Sequence, residues 1–124
     1  TRIVGLVCAA HFISHYHLLL LPPVFEVVRT ELGVSYVALG AVLTAFNVIS
    51  ALLQTPAGFL VDRVGARPML IGGMMIGVVA LLLAATFPIY WMLIAAYALL
   101  GLANTVYHPA DYAILSSKIA ARKA

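Results

Sequence analysis

Long apolar stretches separated by short polar groups cover almost the whole chain. Four of them, over about 4–28, 35–61, 68–87 and 88–116, are long enough to cross a bilayer, which takes roughly 20 mostly apolar residues as a helix. Stretches such as VLTAFNVISALL have none of the polar outer face that helices of a soluble bundle carry. The pattern therefore predicts an all-α membrane protein, whose four transmembrane helices form a single domain over 1–124.

The connections between the predicted helices are short and contain residues that favour turns. Ser35 is expected to cap the second helix, and Gly65 is expected to adopt a turn conformation closed to other residues. Pro88 separates the third helix from the fourth. Pro22 lacks a backbone N–H, which predicts a bend within the first helix. Such tight connections make neighbouring helices antiparallel and close.

Composition and charge agree with a membrane location. Hydrophobic residues make up 65% of the 124 residues and charged residues 9%, against about 25% charged in soluble domains. If both termini and the second connection are cytoplasmic, Arg29 alone lies on the far side, and six basic residues lie on the near side: Arg2, Arg63, Arg67, Lys118, Arg122 and Lys123. This asymmetry predicts cytoplasmic termini. The net charge of +3 follows from this topology, so no nucleic-acid partner is expected.

Small and polar residues recur along single faces of the predicted helices. The second helix carries them three or four residues apart, at Gly40, Thr44, Asn47, Ala51, Gln54 and Gly58. The third helix has Gly73 and Gly77, and about a third of the circumference of the fourth contains Gly101, Asn104, Thr105, His108 and Asp111. Such faces predict close helix packing and interhelical hydrogen bonds rather than contact with lipid.

Charged residues gather in the stretch GFLVDRVGARP, 58–68, between the second and third predicted helices. Gly58 is expected to let a neighbouring backbone come close. Asp111 lies about 23 residues beyond Pro88, or roughly 35 Å along a helix, which returns it to the same membrane face. We therefore expect a partly desolvated ion-pair cluster of Asp62, Arg63, Arg67 and Asp111, the alternative being a topological anchor of interfacial charges.

The pattern Gly58-x-Leu60-x-Asp62-Arg63-x-Gly65-x-Arg67 resembles the signature between helices two and three of the major facilitator superfamily of transporters. HFISHYHLLLLPPVF and YHPADYAIL further resemble the bacterial branch that includes fosmidomycin-resistance-like drug exporters. The resemblance implies twelve helices in two six-helix halves, in a bacterial inner membrane, with this chain forming part of the N-terminal half. It also implies that the charged hairpin latches the cytoplasmic helix ends and helps to hold the outward-facing state.

Two positions depart from what the resemblance implies. Many proton-coupled members carry an arginine four residues before a glycine of the fourth helix, and here Tyr97 stands four residues before Gly101. The exporter branch often has an acid in the first helix where this chain has His15. Both differences concern the coupling ion and the substrate.

Histidines within the predicted spans favour a path for solute or protons. His11 and His15 share a face of the first helix with Ser14. Histidine gains or loses a proton near neutral pH, and ionisable groups inside a membrane usually face a cavity. The predicted path is lined by His11, His15, Asn47, Gln54, Asn104 and His108, with interhelical hydrogen bonding as the alternative role for each.

A metal or haem site is the less favoured interpretation of these histidines. His11 and His15 have the spacing of a zinc pair, and histidines from two helices could ligate haem. However, Cys8 is alone and no carboxylate is near in sequence, so neither a metal nor a cofactor is expected.

The chain has no serine-nucleophile motif, phosphate-cradling loop or paired carboxylates, so no enzyme activity is expected. The function it indicates is part of a secondary active transporter that moves a small solute by alternating access. Its expected partners are the lipid bilayer, the solute and the remaining transporter helices, because four helices are fewer than twelve. The alternative is a truncated, non-transporting chain that serves as an accessory subunit of a larger membrane complex.

Overall fold

The protein is built from helices joined by short turns. The computed structural model describes residues 2–123, with side chains as far as Ser117. In chain order the elements are α1 (Arg2–Leu19), a 3₁₀ turn (Pro22–Val24), α2 (Phe25–Leu32), α3 (Tyr36–Val64), α4 (Ala66–Thr86), α5 (Tyr90–Asn104) and α6 (Tyr107–Lys123). The side chains of Lys118, Arg122 and Lys123, which enter the predicted charge asymmetry, lie outside the described residues.

Four segments are long and apolar enough to cross a membrane. In chain order, spans 1 to 4 are Arg2–Leu32, Tyr36–Val64, Ala66–Thr86 and Tyr90–Ser117. They match the four stretches predicted from the apolar pattern, with bounds that differ by a few residues. No strand occurs among the described residues. The predicted fold class, an all-α protein with four potential membrane spans, is therefore confirmed.

Span 1 is interrupted near its C-terminal end. Helix α1 ends at Leu19, the 3₁₀ turn begins at Pro22, and α2 starts at Phe25. The bend predicted at Pro22 is thus present as a short break between two helices. Pro22 suits the first position of the turn because its missing N–H would have no partner there.

Span 4 is interrupted as well, which the sequence analysis did not predict. Helix α5 ends at Asn104 and α6 begins two residues after Thr105, at Tyr107. The Thr105 N–H bonds to the carbonyl of Leu102 at 3.2 Å, so the last turn tightens. Pro109 explains the break because it has no N–H to offer the Thr105 carbonyl and disfavours helical geometry just before it.

Two glycines with positive φ make the turns beside α3. Gly33 (φ 65°) ends α2, and Gly65 (φ 99°) lies between α3 and α4. Residues with a side chain rarely adopt the Gly65 conformation, so its predicted turn role is confirmed. The predicted cap at Ser35 is also confirmed, since its Oγ accepts from the Ala38 N–H at 3.1 Å.

Helix α5 packs against both α3 and α4, and glycine allows the closest approach. Gly101 lies against the backbone of Phe46, whose Cα would be 3.0 Å from a Cβ added to the glycine. The buried apolar core gathers around this contact and consists of Leu21, Val42, Phe46, Ala80, Ala96, Tyr97 and Leu100.

Two glycines of α4, Gly73 and Gly77, likewise allow neighbouring helices to come close. A Cβ added to Gly73 would lie 2.5 Å from Val106 Cγ2, and one added to Gly77 would lie 3.0 Å from Cε1 of the buried His17. The packing role predicted for Gly73 and Gly77 is therefore confirmed. Span 3 contacts span 4 at the first glycine and span 1 at the second.

Candidate functional site

A chain of hydrogen-bonded side chains links α1 to α6. His11 Nδ1 lies 3.0 Å from Asp111 Oδ2, and His11 Nε2 lies 3.1 Å from His15 Nε2. Ser14 donates from Oγ to the His11 carbonyl at 2.7 Å. Asp111 is buried, with 6% of its surface exposed, whereas His11 is half-buried and His15 is exposed. We call Asp111, His11 and His15 the Asp–His chain.

His108 lies beside the Asp–His chain and connects it to α3. Its ring centroid is 5.2 Å from that of His11 and 6.4 Å from that of His15. A cavity of about 540 Å³ is lined by His108, Cys8, Tyr112 and the Asp–His chain. A shallower groove of about 480 Å³ brings His108 and Tyr112 together with Gln54. We call this second depression the α3–α6 groove; it is completed by Ala51, Thr55 and Pro109.

The structure thus brings together four of the six residues of the predicted path, and two lie apart. Asn104 Nδ2 donates to Ser50 Oγ at 2.8 Å, which is the interhelical hydrogen bond given as the alternative role. Asn47 Nδ2 donates to the Leu43 carbonyl within α3, also at 2.8 Å. Among the described residues, no group of three or more His, Cys, Asp or Glu side chains is arranged to hold a metal ion.

The small and polar stripe of α3 is not covered by the other helices of the described chain, so the packing predicted for it stays a prediction. The buried residues of α3 are Leu39, Val42, Phe46, Ser50, Ala57 and Val61, whereas Thr44, Asn47, Ala51 and Gln54 are exposed. Between helices in a bilayer the interior is set by close packing rather than by hydrophobic transfer, since lipid is as apolar as these side chains. Nor does a backbone approach Gly58: a Cβ added there would meet only Pro109 Cβ, at an ordinary 3.9 Å.

The charged hairpin between α3 and α4 does not include Asp111, and the predicted ion-pair cluster is wrong. Asp62, Arg63 and Arg67 are exposed. The contacts within 4.0 Å between basic and acidic groups of the described side chains are His11–Asp111 and Arg29–Glu26. Asp111 lies on the face of α6 that contacts α1. The α6 residues that share a cavity with the hairpin lie further along the helix, at Ala113, Ile114 and Ser117.

Sequence reasoning missed Tyr107, which lies one turn before Asp111 and is fully buried. The Tyr107 hydroxyl and Asp111 Oδ1 are buried atoms with no hydrogen-bond partner among the described residues. The signal was the spacing, because residues four apart share a helix face. Because the helix restarts after Thr105, the face that Tyr107 and Asp111 share was not recognised from the sequence.

A second group lies at the other end of span 1 and joins α2 to α3. The Arg29 guanidinium donates from Nη2 to Glu26 Oε1 at 2.8 Å and stands 5.2 Å from the ring centroid of Tyr36. The Tyr36 hydroxyl donates to the other carboxylate oxygen of Glu26. Glu26 and Arg29 stand three residues apart in sequence and so share a helix face, but only the structure adds Tyr36, which comes near through the turn at Gly33.

Comparison with known proteins identifies the family. The sequence model of the Major Facilitator Superfamily matches residues 7–123, which include the Asp–His chain, the α3–α6 groove and the charged hairpin. The chain belongs to the major facilitator superfamily. No curated protein and no solved structure gave a significant match. The superfamily match does not single out the fosmidomycin-resistance-like branch, which stays a prediction.

Members of the major facilitator superfamily are membrane transporters rather than enzymes, and the four apolar spans agree with this membership. Tyr97 stands at the position where the sequence analysis noted that an arginine of many proton-coupled members is missing. Its side chain is 3% exposed and lies in the apolar core. A charged side chain there would be buried without a partner.

Proposed function

We propose that this chain forms part of a secondary transporter that moves a small solute by alternating access, with the solute contacting the α3–α6 groove. The observation that carries the proposal is a polar face within a span: Asn47 and Gln54 are exposed on α3, and His108 lines the groove beside Gln54. Polar side chains inside a membrane rarely face lipid and usually line a pathway. A solute path gives these groups a polar surrounding.

The depth of these side chains supports a central binding site. Asn47 follows Tyr36, the first residue of α3, by about 16 Å along the helix axis. That places it near the midplane of a hydrocarbon core roughly 30 Å thick. Gln54 lies about two turns further toward the hairpin. Secondary transporters commonly bind their solutes near the midplane, between repeats.

In this proposal the charged hairpin acts at the cytoplasmic surface of a bacterial inner membrane, with both termini on the same side. Asp62 and Arg63 are exposed and have no ion pair within 4.0 Å among the described side chains. They are therefore free to contact helices outside the four spans. Such contacts latch the cytoplasmic helix ends in the outward-facing state.

A second candidate function is an accessory subunit of a larger membrane complex. The exposed α3 stripe contains small residues such as Gly40 and Ala51 beside amides, a combination that suits close helix packing in a membrane. In this alternative the stripe binds another protein and no solute moves. The accessory subunit should then purify in a fixed ratio with a larger partner.

Solute uptake by vesicles tests the proposal. The full-length protein is reconstituted, exposed to a small-molecule extract of cells, and the vesicle contents are compared by mass spectrometry with those of empty vesicles. We expect at least one solute to accumulate only with the protein, and Gln54→Ala to reduce that accumulation at least about tenfold because one or two hydrogen bonds to the solute are lost.

The matched control is Leu52→Ala, which truncates an exposed apolar side chain of the same helix, off the polar stripe. Its uptake should equal that of the wild type. No protein-dependent uptake of any solute, together with stoichiometric recovery of a larger partner, would establish the accessory role instead. Equal uptake by Gln54→Ala and Leu52→Ala would show that the solute does not contact the α3–α6 groove.

A further inference from the structure

Two imidazole nitrogens of α1 come together at the cavity of the Asp–His chain. His11 Nε2 and His15 Nε2 are 3.1 Å apart, and both residues line that cavity. Two imidazoles on one Zn²⁺ ion, each about 2.0–2.1 Å from it, have nitrogens about 2.9 Å apart at a right angle and about 3.3 Å apart in a tetrahedron. The observed separation lies between these values, so the pair has the nitrogen spacing that one ion requires.

Asp111 supplies the partner that a metal-binding histidine needs on its other nitrogen. From the sequence a metal is not expected, since no carboxylate stands near these histidines along the chain. The fold brings one from α6, and His11 Nδ1 lies 3.0 Å from Asp111 Oδ2. Histidines that bind a metal almost always donate their second N–H to a carboxylate, a carbonyl or water, which fixes the tautomer and the ring orientation. With Nδ1 as that donor, His11 Nε2 keeps its lone pair for a metal.

We propose that His11 Nε2 and His15 Nε2 bind one divalent transition-metal ion, with Asp111 as the positioning residue behind His11. Imidazole nitrogen suits Cu²⁺, Ni²⁺ and Zn²⁺, and a given site of this kind binds Cu²⁺ most tightly. His15 changes from hydrogen-bond donor to ligand by carrying its single proton on Nδ1 rather than Nε2. Both rings stay neutral, and no proton is released.

The charges around the cavity favour a cation. Asp111 lines it, and among the described residues no lysine or arginine does so. Asp111 is 6% exposed, and its Oδ1 has no hydrogen-bond partner in the part of the chain that the structure describes. A buried carboxylate is costly unless a positive charge lies near it, and a bound divalent ion is often the largest local charge in a site. The ion therefore offsets the charge of Asp111 across the His11 ring.

Two protein nitrogens leave part of the coordination sphere open. Cys8 and His108 line the same cavity, but within the described residues neither joins the pair in a group of three arranged to hold a metal. A tetrahedral ion with two protein ligands has two positions left for water or for donor atoms of a small molecule, and the cavity of about 540 Å³ has room for them. Structural zinc sites are closed by four protein ligands, whereas open positions are typical of sites where a metal meets other molecules.

Metal titration tests the site directly. The full-length protein, without an affinity tag, is purified in detergent, stripped with a chelator and dialysed against Cu²⁺, Ni²⁺ or Zn²⁺, one metal at a time. Bound metal is then measured by elemental mass spectrometry. We expect one ion per chain, with Cu²⁺ bound most tightly. Excess Mg²⁺ should not displace it, because Mg²⁺ prefers oxygen ligands.

Substitution of the two histidines tests the ligands. His11→Ala and His15→Ala should each bind Cu²⁺ at least about tenfold more weakly, because loss of a ligand costs at least as much as loss of the group that orients it. The matched control is Tyr16→Ala, which removes an exposed ring of α1 beside His15 but outside the cavity, and its affinity should equal that of the wild type. Electron paramagnetic resonance of the Cu²⁺ form should show two coordinated imidazole nitrogens in the wild type and one in His15→Ala.

Two substitutions of Asp111 test its positioning role. Asp111→Ala should bind Cu²⁺ about 10- to 100-fold more weakly. At saturating Cu²⁺ its resonance spectrum should still show two nitrogens, which shows that the variant is folded and keeps both ligands. Asp111→Asn should recover part of the affinity, since its amide oxygen can accept from His11 Nδ1. Equal losses in the two variants would show that this hydrogen bond does not position His11.

The metal site and the proposed function can fail separately. Several weakly bound ions per chain, or Cu²⁺ binding that persists when both His11 and His15 are replaced by alanine, would overturn the metal site. A protein that accumulates a solute but binds no ion at these histidines refutes the site and leaves transport intact. A protein that binds one ion but accumulates no solute keeps the site and refutes the proposed function.

Discussion

The contact between Gly101 and Phe46 predicts a large effect from a very small substitution. In Gly101→Ala the added Cβ would lie 3.0 Å from Phe46 Cα and 3.1 Å from its carbonyl carbon, and closer still to its carbonyl oxygen. Ordinary contacts of a Cβ begin at 3.4 Å. Helices α3 and α5 must therefore separate by at least the difference of 0.4 Å at Cα, and by more at the oxygen.

We expect this separation to cost about 1–3 kcal/mol, the usual range for overpacking a filled interior. The atoms in the way belong to the backbone, so no side-chain rotation relieves the contact. Thermal unfolding of the purified protein in detergent can be measured by the fraction that stays monomeric as the temperature rises. The midpoint of this transition should fall by several degrees. Gly40→Ala is the matched control, because a Cβ added to Gly40 meets nothing within 4 Å.

A pair of double variants separates backbone from side-chain contacts. At Gly73 the nearest atom is the side-chain atom Cγ2 of Val106, so Val106→Ala should recover part of the stability lost in Gly73→Ala. Phe46→Ala should recover none of the stability lost in Gly101→Ala. The reasoning is refuted if Gly101→Ala unfolds at the same temperature as Gly40→Ala, or if trimming Phe46 restores it.

Two further substitutions test the turns and the polar contacts. Gly65→Ala should cost about 1–3 kcal/mol in unfolding free energy, because φ of 99° with ψ of 149° is nearly closed to alanine, and the same thermal measurement should show a lower midpoint. Ser50→Ala should cost about 0.6 kcal/mol by leaving Asn104 Nδ2 without its acceptor. Adding Asn104→Ala to Ser50→Ala should cost little more, and fully additive losses would show that the two side chains are not coupled.

The spans and turns could be predicted because each rests on a local rule. A bilayer requires a minimum apolar length whatever the helix contacts, so the four spans follow from hydropathy alone. Gly65 and Ser35 act within one turn of their own positions, and the structure confirms both. Pro22 likewise predicts a local change in the backbone without reference to any partner.

The partner of Asp111 could not be predicted because it depends on how the interrupted span 4 is oriented. Counting 1.5 Å per residue from Pro88 gives depth and assumes one continuous helix. The span is interrupted at Thr105, and Asp111 faces His11 of α1. The surroundings of the α3 stripe could not be predicted for a related reason, since periodicity groups residues on one face without saying which neighbour covers that face.

The distribution of polar groups among the spans follows from this packing. Span 3 has no polar side chain between Arg67 and Thr86. Val106 of span 4 packs against Gly73, and His17 of span 1 packs against Gly77. It therefore serves as an apolar support for spans 1 and 4. Apart from Arg67 at the start of span 3, the ionisable and amide side chains of the spans lie in spans 1, 2 and 4. Because α5 covers the apolar face of α3, the polar face of α3 turns outward, where the groove joins it to the cavity of the Asp–His chain.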